Sequence, residues 1–156
     1  MDILYKGDDW VFSYRVAGIC LRNGCVLLQK PVTDTAFAFP GGHVAFGETN
    51  EQTLVREFRE ETGAEIRVGD LKWVAEIFFP WGDKPCHQIC LYYMVELIEE
   101  SIPGGAAFSG IEERNVPLEF HWVPLGDLEG LEVYPVQTAE LLQKLGEGVQ
   151  HFVYRE

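Results

Sequence analysis

Apolar and polar residues along this chain fall into short runs that predict a strand-rich domain with two helices. Trp10 to Leu21 is dense in aromatic and β-branched residues (Trp10, Val11, Phe12, Tyr14, Val16, Ile19) and is expected to be extended. Asn23-Gly24 separates it from Cys25-Val26-Leu27-Leu28, a strong two-residue hairpin signal. Pro31 to Ala36 reads as a loop. Phe37-Ala38-Phe39 reads as a short extended piece, since the residue before Pro40 avoids helical backbone. Pro40-Gly41-Gly42 is expected to break regular structure, its glycines free to take positive φ or to lie close to a ligand.

A helical period follows. Thr49-x-x-Gln52 fits a capping box, Leu54, Val55 and Phe58 form an apolar stripe, and Gly63 is a natural stop, so a helix is predicted over 50–62. Ala64–Val68 and Leu71–Phe79 read as two strands, with a turn at Pro80–Pro85. Gln88–Leu97 is almost continuously apolar, the signature of a central strand covered on both faces. Glu99–Leu118 reads as a long acidic loop, Glu119–Val123 as a short strand and Val136–Leu145 as a second amphipathic helix ended by Gly146. Val149–Tyr154 reads as a last strand. This order predicts an α/β fold, an α/β/α sandwich with a mixed central sheet between two helices.

The length of 156 residues suits a single domain spanning 1–156, and 47% apolar with 24% charged residues is globular. A net charge of −13 with no compensating Lys/Arg cluster argues against long nucleic acid or an anionic membrane surface as partner. No apolar run approaches the roughly 18 residues that span a bilayer, and the N-terminus carries no signal-like segment. Of the four cysteines, Cys20 and Cys25 lie in strand-like runs. Cys86-His87-Gln88-Ile89-Cys90 lacks the second ligand pair of a zinc site, so free thiols in a reducing, cytoplasmic setting are expected.

The chemistry concentrates between Gly42 and Ala64. On the predicted helix Glu57, Glu60 and Glu61 stand at i, i+3 and i+4, which puts three carboxylates on one face, apart from most of the apolar stripe. Like charges at that spacing repel, and a divalent cation between them removes the repulsion. An Arg56–Glu60 pair at i, i+4 explains a few tenths of a kcal/mol, but not Gly41-Gly42, Glu48 and the register together.

That register resembles the Nudix hydrolase signature, G-x5-E-x7-R-E-U-x-E-E-x-G-U, with U a bulky apolar residue. Gly42, Glu48, Arg56, Glu57, Phe58, Glu60, Glu61 and Gly63 match it. Eight such matches arise by chance on the order of 10⁻⁸ times per starting position at ordinary residue frequencies. Ala64 is smaller than the family's usual residue, Phe58 is aromatic where an aliphatic is commoner, and Ala45 stands where many relatives carry another glutamate.

The resemblance implies a Mg²⁺-dependent pyrophosphohydrolase, with Mn²⁺ as a substitute metal. Its substrate would be a small nucleotide, a nucleoside diphosphate joined to another group: a nucleotide sugar or ADP-ribose, a nucleoside triphosphate, or a dinucleoside polyphosphate. It implies Glu57 and Glu61 as metal ligands, Glu60 as a third ligand or the proton acceptor, and the Gly41 carbonyl as a further ligand. Arg56 would orient Glu57, and Glu48 would brace that network or the loop. Glu48, His43 and Phe39 are candidate substrate-binding residues, and Glu112, Glu113 and Glu119 are candidates for an additional acidic ligand. Two other readings stand beside this one: a non-catalytic nucleotide-sensing module, and an RNA 5′-end pyrophosphohydrolase, which the missing basic surface disfavours. The sequence does not decide between a monomer and a homodimer.

Overall fold

The computed structural model describes residues 1–98, 108–111 and 117–156, with the backbone alone at 108–111. β1 (Leu4–Lys6) runs antiparallel to the start of β2 (Val11–Arg22). Asn23 (φ 51°) and Gly24 (φ 75°) both take the left-handed backbone that a two-residue hairpin requires. β3 (Cys25–Pro31) therefore folds straight back, pairing Leu21 with Val26 and Arg22 with Cys25.

Beyond that contact β2 and β3 part, and residues 37–43 come between them. Ala38 bridges to Gln29 of β3, then β4 (Gly41–His43) pairs with Arg15–Ala17 of β2. The expected break at Pro40-Gly41-Gly42 is instead a strand, and neither glycine has positive φ. Their freedom is spent on closeness. A Cβ on Gly41 would overlap the Val16 carbonyl oxygen, so only glycine lets β4 lie this near β2.

α1 (Asn50–Thr62) forms over the predicted span. β5 (Ile66–Trp81) is one long strand rather than two, its pairing with β6 (Lys84–Leu97) irregular at Val68–Leu71 and Leu71–Trp73. The bulge absorbs the Gly69-Asp70 interruption without ending the strand. β6 lies between β5 and β2, parallel to β2 from Val11↔Cys86 to Cys20↔Val95, as its apolar run requires. β7 (Phe108–Ile111) and β8 (Pro117–Pro124) extend the sheet beyond β3. The remainder of the expected 99–118 loop, including Glu112 and Glu113, lies outside the described residues. α2 (Thr138–Gln143) is shorter than the predicted 136–145, because Leu145 already belongs to a 3-10 turn, Leu145–Glu147. β9 (Gln150–Arg155) closes the far edge, parallel to β5. Among the described residues the strand order is β7-β8-β3-β2-β6-β5-β9, with β1 and β4 on β2.

Strand alternation divides the core into two layers. Val16 and Cys20 of β2 face α1, packing with Leu27, Leu54, Phe58 and Val95; Ala17 and Ile19 face the other layer, with Leu28, Trp73, Tyr92, Leu128 and Leu141 of α2. Leu54 and Phe58 are wholly buried, which anchors α1 by roughly 3–6 kcal/mol at 1.5–3 kcal/mol per side chain. Gly18 makes room for this contact, since a Cβ there would lie 2.8 Å from Phe58 Cε2. Among the described residues no helix is long and apolar enough to cross a membrane.

Candidate active site

α1 is held rigidly at both ends. The Thr49 hydroxyl accepts from Gln52 N (3.1 Å) while Gln52 Oε1 accepts from Thr49 N (2.9 Å), completing the capping box. Gly63 (φ 76°) ends the helix in the left-handed region, its N–H donating to the Arg59 carbonyl. The side chain of Asn50 ties the first turn to the sheet, accepting from Tyr14 Oη (2.9 Å) and donating to Tyr93 Oη (2.8 Å).

So held, α1 turns two of its glutamates inward. Glu57 is 1% and Glu61 7% exposed, whereas the Glu60 side chain is 55% exposed. The expectation that all three share one face away from the apolar stripe is therefore corrected. At about 100° per residue Glu57 and Glu61 sit 40° apart, but Glu60 stands about 100° from Glu61 and faces solvent. The inward pair borders Leu54 and Phe58, so it is buried with the stripe.

Gly42 on β4 faces Glu57. A Cβ there would lie 2.7 Å from Glu57 Oε2 and closer still to Cδ and Oε1, so the missing side chain is the space the carboxylate fills. Arg56 organises the surrounding charge. Its Nη1 donates to Glu57 Oε1 (2.9 Å) and Glu60 Oε2 (3.3 Å), its Nε to Glu48 Oε1 (2.9 Å) and its Nη2 to Glu48 Oε2 (3.1 Å). Thr53 Oγ1 also donates to Glu48 (2.7 Å). The Arg56 hydrogen bonds, then that of Thr53, hold the Glu48 carboxyl below the usual carboxylate range, and Glu48 in turn raises the guanidinium. Glu48, Arg56, Glu57 and Glu60 are thus one network.

The other candidates are dispersed. Glu119 on β8 alternates with Leu118 and Phe120, which pack in the α1 layer, so it faces away from α1. There it accepts from Lys30 Nζ (3.0 Å) and lies 3.1 Å from His121 Nε2, and these two hold its carboxyl low, His121 foremost. His43 is buried, its Nε2 3.1 Å from Ser13 Oγ, on the strand face opposite Gly42. Phe39 is buried edge-on against Trp73 and Tyr92, at centroid distances of 5.4 and 5.7 Å. It also lines a cavity of about 430 Å³ on the sheet face opposite α1, with Arg15, Gln88, Tyr134 and Tyr154. Sequence reasoning missed Arg15 and Gln88. The available signal was polarity at inward positions of strands: Ser13 and Arg15 share a face with Ala17 and Ile19, and Gln88 with Cys86 and Cys90. Among the described residues no three His, Cys, Asp or Glu side chains gather as a ready-made metal cage.

Residues 13–145 match the NUDIX domain, and the chain belongs to that family. It is similar to an ADP-ribose pyrophosphatase of Methanocaldococcus jannaschii, 34% identical over 93 residues, 58% of this chain and 54% of that protein. It is also similar to an RNA pyrophosphohydrolase of Acinetobacter baylyi, 54% identical over 48 residues, 30% of this chain and 29% of that protein. The chain thus spans about half of the first relative and under a third of the second. The crystal structure of an ADP-ribose pyrophosphatase from Streptococcus suis shares the fold, with a TM-score of 0.60 at 11% identity, covering 92% of this chain and 98% of that one.

Proposed function

We propose that this protein is a divalent-metal-dependent pyrophosphohydrolase that splits the diphosphate of a nucleoside diphosphate joined to another group. The observation that carries the reading is the burial of Glu57 in the space left by Gly42, with Arg56 on its Oε1. Burying a carboxylate is costly unless a cation compensates it, and the glycine cradle keeps this one in place. Glu57 and Glu61, one turn apart and both buried, offer hard oxygen ligands, and the Gly41 carbonyl on the adjoining strand offers a third. This set fits Mg²⁺, or Mn²⁺ in its place, because Mg²⁺ takes one or two carboxylates and completes its shell with water and substrate phosphate oxygens. When bound, the metal supplies charge neutralisation at the phosphates and a water of lowered pKa.

The chain's own groups do the rest. Arg56 fixes the Glu57 carboxylate by a charge-assisted bond and is itself fixed by Glu48. Glu60, exposed and 3.3 Å from Arg56 Nη1, takes the proton of the attacking water. Water oxygen bonds to phosphorus, the bridging P–O bond breaks, and the electron pair leaves on the departing phosphate. The cavity beside Phe39 takes the nucleoside end, its rings offering stacking surface and Arg15 a local cation. The net charge of −13 favours a short substrate over RNA, whose binding rests on many phosphate contacts. The four free cysteines support a reducing, cytoplasmic setting.

A panel of nucleotide sugars, ADP-ribose, nucleoside triphosphates and dinucleoside polyphosphates, assayed for phosphate products with and without Mg²⁺, tests the reading. Glu57→Gln is expected to lower turnover at least about a hundredfold. Mg²⁺ and Mn²⁺ are expected to raise Tm by linkage, and Glu57→Gln with Glu61→Gln to abolish that rise. Near-normal turnover in the single variant, or an unchanged shift in the double, defeats the assignment.

A further inference from the structure

Resting on the reading that the cavity takes the nucleoside end, we propose that Gln88 selects the base by the polarity of its ring edge, and that Ser13 holds the Gln88 amide in the orientation that does so. Ser13 is wholly buried and Gln88 is 9% exposed. Ser13 Oγ donates to Gln88 Oε1 at 3.0 Å. A hydroxyl has one hydrogen, so Oγ must meet His43 Nε2, 3.1 Å away, as an acceptor. In that arrangement His43 Nε2 is the donor. In this arrangement the Gln88 carbonyl is spent on Ser13, which leaves its NH₂ for the cavity that Gln88 lines.

Arg15 lines the same cavity and makes no ion pair with a described residue. Two neighbouring groups thus offer hydrogens. The acidic groups at the rim are engaged or in water: Asp34 Oδ1 accepts from the backbone of Thr35 and Ala36, Glu132 accepts from Tyr134 Oη and Thr35 Oγ1, and Glu156 is exposed. A ring edge bearing an oxo oxygen is matched here. An exocyclic amine in the same place would set donor against donor, the mismatch that hydrogen-bonding sites reject most strongly. A glutamine with both ends of its amide available would accommodate either; one whose carbonyl is engaged by Ser13 presents its NH₂.

The test uses two pairs that differ in this group: inosine-diphosphate ribose against ADP-ribose, and UDP-glucose against CDP-glucose, each with Mg²⁺. The wild type is expected to favour the oxo member of each pair by about tenfold in kcat/KM. Gln88→Glu, which only accepts, is expected to reverse the preference. Ser13→Ala is expected to bring the ratio near one; a merely structural Ser13 would slow both members equally and leave the ratio alone. Should Ser13→Ala fail to fold, Gln88→Glu decides, and an unchanged ratio there overturns the proposal. Equal wild-type turnover within both pairs overturns it while the hydrolase reading stands. Failure to turn over any of the four overturns the pocket reading and this inference together.

Discussion

Replacing Gly42 by alanine isolates the feature on which the site depends. The backbone of Gly42 is extended and paired with Val16, so alanine suffers no conformational penalty there. Its methyl would sit 2.7 Å from Glu57 Oε2 and nearer to Cδ and Oε1, well inside the 3.5–4.0 Å or so at which such atoms are at ease. The carboxylate must move, and its 2.9 Å bond from Arg56 goes with it. Overpacking costs about 1–3 kcal/mol and a lost charge-assisted hydrogen bond about 1.5–3 kcal/mol; partial relaxation puts the sum near 2–4 kcal/mol. For a chain of this size that is a fall in Tm of roughly 5–15 °C. Turnover should drop about a hundredfold, the scale of a misplacement of about 1 Å in a catalytic group. The diagnostic is a double-mutant cycle read by thermal or urea unfolding. In a Glu57→Ala background the space is returned, and Gly42→Ala should become neutral or stabilising by up to about 1 kcal/mol, as expected for removing a glycine from a strand. Equal penalties in both backgrounds would show that Gly42 is not the cradle of Glu57.

Three further outcomes are expected. Gly18→Val should cost about 1–3 kcal/mol in urea unfolding, because its Cβ would lie 2.8 Å from Phe58 Cε2; Phe58→Leu should recover part of the loss. Glu48 has a folded pKa below its ordinary 4.5, so its stabilisation is complete above that value and lost as pH falls through the lower, folded one. The stability gap between wild type and Glu48→Gln should therefore be constant near neutrality and close only below about pH 4.5, as followed by Tm against pH. Asn50→Ala removes both tyrosine bonds at the head of α1 and should lower Tm by several degrees, at about 1 kcal/mol per bond.

What the sequence made legible was what local chemistry decides. The helix over 50–62 was readable because Thr49, Gln52 and Gly63 specify its ends whatever it packs against, and Asn23-Gly24 gave its hairpin for the same reason. The Arg56 network followed from helical spacing and the family register. The strand at Gly41–His43 was not readable, since glycines signal a break unless a partner strand is known to need them close. The inward turn of Glu57 and Glu61 escaped because a glutamate beside an apolar stripe ordinarily belongs to solvent. The cavity escaped for a longer-range reason. It requires β2 to pair in parallel with β6 some seventy residues on, setting Arg15 level with Cys90 and Ser13 level with Gln88, and no local period announces that juxtaposition.

The alternation along β2 has a practical corollary for adaptation. Val16, Gly18 and Cys20 support the helix that bears the glutamates, while the intervening Ser13, Arg15 and Ala17 belong to the opposite layer. Substitutions at Ser13 and Arg15 can therefore reshape the cavity without touching the contacts by which Val16, Gly18 and Cys20 hold α1. A single thread of backbone carries two independently evolvable inscriptions, read from opposite sides.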